Sequence, residues 1–338
     1  MPSVKIKASG GTLNVNYTIS TPGLSSATTI DPKLPTIVFL HPVYIAQDIF
    51  HLQFADSQLR RYNMIAYDLR CQGETTSKHP TQQWSRADAA DELAKFMEAL
   101  KLPACHLVGV SMGSCIALQT SITYPQKVLS VIMLSPLPLE EPPEVCEGRE
   151  EIYAVWAEGY ADPKHADYEE LQDAVWGASQ LMFNSQESPL VNALIKRTLP
   201  QALRNWTPDR FCDLHAVSVG FFVSRHPHPK ATLAAIHCPI TLIHCSGDIA
   251  YPIEYARELY DTMQDAGVDA HLESVPGPHF ANVTNSREVN PILAKAVARA
   301  TTEPLPPIPT EVVSPFESTL AKLGLYDDDD DSSDDYSI

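Results

Sequence analysis

Residues 105 to 118 read Cys105-His106-Leu107-Val108-Gly109-Val110-Ser111-Met112-Gly113-Ser114-Cys115-Ile116-Ala117-Leu118. The apolar run from Cys105 has the composition of a buried strand and the stretch from Ser114 that of a helix, so Gly109 to Gly113 form the turn between them. A serine on so tight a strand-to-helix turn has a strained backbone, and its neighbours must be small to clear the helix and the next strand. Gly109 and Gly113 meet that need. Ser111 therefore has the setting of a nucleophile elbow.

A serine hydroxyl is a weak nucleophile near neutral pH and needs a histidine base, itself oriented by an acid. Both are expected downstream. The β-rich run Pro239 to Cys245 ends at Ser246-Gly247-Asp248, which places Asp248 in the loop at a strand's C-terminal end. In an open α/β sheet the loops at that edge converge on one crevice. A second run, Ala270 to Val275, is followed by Pro276-Gly277-Pro278-His279-Phe280, which puts His279 in the matching loop of the next strand. Of the other histidines, His106 and His244 fall in buried strands, and His226 and His228 flank Pro227 without a further ligand at metal spacing.

The order Ser111, Asp248, His279 is that of the α/β-hydrolases, and the chain resembles that family. The segment Tyr67-Asp68-Leu69-Arg70-Cys71-Gln72-Gly73-Glu74-Thr75 is similar to the family's Asp-x-Arg-Gly-His-Gly-x-Ser stretch, with Cys71 and Gln72 as departures. The resemblance covers roughly residues 12 to 300 and is weakest between 138 and 230. It implies a mostly parallel eight-stranded sheet with helices on both faces and an inserted helical lid. Some members carry the acid one strand earlier; here that strand, Leu129 to Leu134, runs into Ser135-Pro136-Leu137 with no carboxylate before Glu140. Asp248 is the better candidate.

Acyl transfer builds negative charge on the carbonyl oxygen, which two backbone N–H groups usually hold. Met112, after the nucleophile, supplies one. By resemblance the second comes from the loop after the strand Pro35 to Leu40, where the family has His-Gly and this chain has His41-Pro42-Val43-Tyr44. Proline has no N–H and fixes φ, so the donor passes to Val43 and the loop's shape is restricted. Tyr44 offers either a phenolic donor or packing.

At 338 residues and 44% hydrophobic composition, the chain can form one large core plus an insertion. We expect the core at 1–137 and 231–304, a helical lid at 138–230, and a Pro-rich linker with a disordered acidic tail at 305–338. Ser85 to Leu100 reads as a capped helix with Leu93, Phe96, Met97 and Leu100 on one face. The lid segment holds three of the four tryptophans, Trp156, Trp176 and Trp206, as suits an apolar cavity. The net charge of −18, with −7 of it from the aspartates of 327–335, argues against a nucleic-acid partner. Seven cysteines without framework spacing, no N-terminal apolar h-region and no membrane-span-length run suggest a soluble cytoplasmic protein.

The expected function is hydrolysis of a small-to-medium apolar carboxylic ester or lactone, without metal or cofactor, by Ser111, His279 and Asp248, with Met112 and Val43 as the oxyanion hole. Gly109, Gly113 and His41 shape the elbow and the site loop. A carbon–carbon bond hydrolase, an acyltransferase or a ligand receptor without turnover would carry the same residues. Oligomeric state is left open.

Overall fold

The computed structural model describes residues 2–9, 11–162 and 165–327, with backbone alone at Gln180 and Leu181. Its centre is a sheet whose strands run β1 (Ser3–Ala8), β2 (Gly11–Ser20), β4 (Asn63–Tyr67), β3 (Thr36–Leu40), β6 (Cys105–Val110), β7 (Val128–Leu134), β8 (Ile240–Cys245) and β9 (Ala270–Val275) from edge to edge. A ninth strand of two residues, β5 (Thr76–Ser77), lies against β2. From β4 to β9 every pairing is parallel; β1 and β2 pair antiparallel with their neighbours. The expected eight-stranded sheet is thus present with one short addition.

The composition of the strands explains the layering. β3, β4, β6 and β8 are buried along their whole length, as parallel strands covered on both faces must be. β1, at one edge, is largely exposed. The helix Arg86–Ala99 begins at Ser85, whose hydroxyl accepts the Asp88 N–H while the Asp88 carboxylate accepts the Ser85 N–H. Its Leu93, Phe96 and Met97 are fully buried, and the Phe96 ring stacks 4.6 Å from that of Tyr67 on β4.

Between β7 and β8 the chain leaves the sheet for a helical insertion whose long helices are Pro143–Glu158, Tyr168–Phe183 and Pro189–Asn205. Aromatic rings knit it together: Trp156 and Trp206 meet edge to face at 5.7 Å, and the Trp156 indole N–H donates to the Trp206 carbonyl. The insertion is tied down where the chain departs from the family pattern. The Trp206 indole N–H donates to the Cys71 carbonyl, and Arg204 and Asn205 both donate to the Gly73 carbonyl.

The segment expected to be a linker is packed against the core as far as Leu325. Arg61 Nε donates to the Pro306 carbonyl and Arg60 to that of Val313. Phe316 and Leu320 are fully buried, with the Phe316 ring edge-on to Phe54 at 5.2 Å. Proline holds the backbone extended so that it can run over the surface as a strap, and two apolar side chains then anchor it. The rest of the acidic tail, 328–338, lies outside the described residues. Among the described residues no helix is long and apolar enough to cross a membrane.

Candidate active site

Ser111 sits between β6 and the helix Met112–Thr123 with φ 53° and ψ −114°, a conformation that L residues adopt only when the surroundings enforce it. Here three contacts do so. The Ser111 N–H donates to the Leu134 carbonyl at 2.9 Å, while the Ser111 carbonyl accepts from the Ser114 N–H at 2.9 Å and from the Ser114 hydroxyl at 2.5 Å. The two glycines are sterically compelled. A Cβ on Gly113 would overlap the Leu40 carbonyl of β3, and one on Gly109 would overlap the Gly113 carbonyl.

Asp248 and His279 occupy the loops after β8 and β9, and His279 Nδ1 lies 2.5 Å from Asp248 Oδ2. The other carboxylate oxygen accepts the N–H groups of Ala250 and Tyr251 at 3.1 and 3.0 Å, so the Asp248 side chain is fixed from both sides. The two loops are joined directly by the Gly247 N–H donating to the Gly277 carbonyl. The imidazole of His279 packs against the rings of Tyr251 and Phe280, each 5.3 Å away. Ser135, at the end of β7, donates its hydroxyl to the His279 carbonyl at 2.5 Å. The strand end that lacked a carboxylate in the sequence thus carries a group that steadies the histidine loop.

Met112 occupies the first position of its helix, next to Ser111, and Val43 is buried in the loop after β3. Among the described residues the Val43 N–H has no acceptor. His41 holds that loop. Its Nε2 accepts the Leu69 N–H at 2.8 Å, so Nδ1 carries the proton and donates to the Pro42 carbonyl at 2.6 Å. Burial pushes the His41 pKa down to about 4, against the raising effect of the backbone bonds, which keeps the imidazole neutral. Tyr44, the residue after Val43, has φ 73°, and its N–H donates to Gln72 Oε1 at 2.8 Å. Two departures from the family pattern therefore meet, since Gln72 braces the loop that Pro42 reshapes.

Ser111, His279 and Val43 line one cavity of about 340 Å³, with Ile152, Met182 and Phe280 among its apolar walls. One part of the wall is charged. Arg149, 8% exposed, donates from Nε to Glu141 Oε1 at 2.6 Å and from a terminal nitrogen to the Tyr251 hydroxyl at 2.9 Å. Arg225 donates to the second Glu141 oxygen at 2.5 Å. Burial acts to raise the Glu141 pKa, and the two guanidinium groups outweigh it, so the carboxylate is held below its usual range. No spacing in the sequence announces this cluster, because its members are 8 and 76 residues apart along the chain. Among the described residues no group of three His, Cys, Asp or Glu is placed to hold a metal ion.

Residues 35–221 match the family described as alpha/beta hydrolase fold. The chain belongs to the alpha/beta hydrolase family. A Klebsiella pneumoniae protein carrying the provisional name carbamate hydrolase RutD is 25% identical to this chain over 248 residues, 70% of this chain and 82% of that one. A shorter match, 33% identical over 104 residues, joins it to the dihydrolipoyllysine-residue acetyltransferase component of an acetoin cleaving system from Cupriavidus necator. That stretch covers 30% of this chain and only 26% of the relative. In three dimensions the chain superposes on a thermophilic esterase from Thermogutta terrifontis, with TM-score 0.66, 17% identity and coverage of 89% and 100% of the two chains. It also superposes on the enol-lactonase of Burkholderia xenovorans LB400, with TM-score 0.63, 15% identity and the same coverage. At such identities the likeness speaks for the fold.

Proposed function

We propose that the protein is a serine hydrolase that cleaves a small-to-medium, largely apolar carboxylic ester or lactone through an acyl-enzyme on Ser111. The observation that carries this reading is the strained Ser111 turn opening into the same cavity as a His279 imidazole already bonded to Asp248. His279 takes the proton of the Ser111 hydroxyl as its oxygen attacks the substrate carbonyl, and returns that proton to the leaving alcohol. Asp248 fixes the imidazole with Nδ1 protonated, which leaves Nε2 as the base, and stabilises the imidazolium that forms. The N–H groups of Met112 and Val43, with the positive end of the helix Met112–Thr123, hold the oxyanion. Water, activated by the same imidazole, then releases the acid and restores Ser111.

The helical insertion acts as a lid, closing an apolar wall over the cavity so that the charges beneath it work in a drier medium. The names of the relatives fit this chemistry, since esters, lactones and carbamates all present an acyl carbon to a nucleophile. A reducing, cytoplasmic setting agrees with seven unpaired cysteines.

Steady-state hydrolysis of p-nitrophenyl esters of increasing acyl length tests the proposal, with Ser111→Ala as the blank. Sustained turnover lost in the variant supports it. A stoichiometric burst without turnover would instead indicate a receptor on a hydrolase fold, and cleavage of β-diketones in preference to esters a carbon–carbon bond hydrolase.

A further inference from the structure

The charged wall of the cavity has an imbalance that the hydrolytic chemistry leaves unused. Two buried guanidinium groups, Arg149 and Arg225, share the single carboxylate Glu141. The oxygens of Asp248 are engaged by His279 and by the N–H groups of Ala250 and Tyr251. Glu144 and Glu151 also border the cavity, but both are exposed, so water screens them. Arg225, behind the cavity wall, also donates to Cys115 Sγ at 3.4 Å, so the two guanidinium groups have one buried carboxylate between them, and buried charge without a full counter-charge is costly.

Arg149 is the member of the pair that lines the cavity. Its guanidinium lies 3.4 Å from the centroid of the Phe222 ring, a cation–π contact that sets its plane. Of its five N–H groups, three are directed to Glu141, to the Tyr251 hydroxyl and, at 3.5 Å, to the Ser218 carbonyl, which leaves two. Beside it on the same wall, Tyr44 is nine-tenths buried, and its hydroxyl faces the Arg149 guanidinium and the Ser218 side chain without meeting full hydrogen-bond geometry with either. A planar cation with spare donors, next to a phenol that leans on it without a full bond, forms a receptor for a planar two-oxygen anion.

We propose that the substrate carries a carboxylate, seated against Arg149 and Tyr44 while its scissile carbonyl lies at Ser111. The proposal rests on the serine hydrolase reading for the position of the carbonyl, and on the wall itself for the carboxylate. The apolar side chains of the cavity then take the carbon chain between the two polar ends. Tyr251 links the two ends, since its hydroxyl accepts from Arg149 and its ring packs on His279.

Two esters that differ only at the far end of the acyl chain test this, 4-nitrophenyl valerate and mono-4-nitrophenyl glutarate. The wild type is expected to favour the glutarate ester in kcat/KM by about tenfold to a hundredfold, the range for a hydrogen bond to a charged group. Arg149→Met should bring the ratio to about one or below, and Tyr44→Phe, which removes only a hydroxyl, should lower it several-fold. Free glutarate supplies a readout without turnover. It should raise the Tm of the wild type and of Ser111→Ala, and raise that of Arg149→Met far less.

A wild-type preference for the valerate ester, or a ratio unchanged in Tyr44→Phe and Arg149→Met, would overturn the proposal and leave the hydrolase reading intact. Failure to cleave either ester, with glutarate still binding through Arg149, would remove the hydrolase reading and keep the carboxylate site. If Arg149→Met does not fold, the wild-type ratio, its glutarate shift and the response of Tyr44→Phe decide the matter.

Discussion

Replacing Gly113 by alanine should disable the enzyme by adding a single methyl group. The new Cβ would stand 2.7 Å from the Leu40 carbonyl carbon and 2.9 Å from the Leu40 Cβ, and would overlap the carbonyl oxygen itself. Carbon atoms settle at about 3.5 to 4.0 Å, so helix and strand must part by nearly 1 Å. Both obstructing atoms that matter are backbone, in the strand whose next residues are His41, Pro42 and Val43, so no side-chain rotation relieves the clash. Overpacking of this kind costs about 1–3 kcal/mol, and a displacement near 1 Å between reacting groups costs about a hundredfold in rate. The expected outcome is a folded variant with a Tm a few degrees lower and kcat/KM reduced by about two orders of magnitude, measured by thermal unfolding and ester hydrolysis on one preparation. Gly177→Ala is the control, because a Cβ there meets nothing within 4 Å; in mid-helix it should stabilise by about 0.5–1 kcal/mol with activity unchanged. Near wild-type turnover in Gly113→Ala would refute the claim that contact between β3 and the elbow sets the geometry of the site.

Three further outcomes are expected. Phe316→Ala should destabilise the whole fold by about 3–5 kcal/mol, since its ring is fully buried against Phe54; an unchanged Tm in calorimetry would mean that the strap unfolds independently. Asp248→Asn should lower kcat by orders of magnitude with little change in KM, because the amide cannot stabilise the imidazolium; equal loss in both parameters would point to a structural role. The third concerns His106, whose pKa burial lowers from 6.5 to about 4, so that the native state holds it neutral while the unfolded chain protonates it first. Its contribution is therefore present above pH 6.5 and is lost as the pH falls towards 4, by on the order of 3 kcal/mol. His106→Gln should make denaturant stability fall less steeply over that window, and parallel curves for the two proteins would contradict the assignment.

What could be read in the sequence was what short-range geometry dictates. A glycine-flanked serine between strand and helix, an aspartate and a histidine each ending a β-rich run, and Ser85 three residues before Asp88 are all local signals, and the structure places each where a loop or cap requires it. The remainder depends on tertiary contacts. The Glu141, Arg149 and Arg225 cluster has no spacing to reveal it and forms only when the insertion folds over the sheet. The strap has a composition suited to an extended linker, and burial of Phe316 against Phe54, together with Leu320, makes it part of the core. Gln72 and Pro42 offered a usable signal, since one departure from the family's motifs bonds to the loop that carries the other. Ser114 and Ser135 gave none, because serine is common and their bonds to the Ser111 and His279 carbonyls follow from where the sheet ends.

The central claim is that Ser111 is the activated nucleophile. Its most direct test is covalent capture, in which the wild type is treated with a fluorophosphonate, digested, and the adduct located by mass spectrometry. The account predicts near-stoichiometric labelling of the peptide containing Ser111, none in Ser111→Ala, and much slower labelling in His279→Ala. An unlabelled wild type, or an adduct that persists in Ser111→Ala, would contradict it.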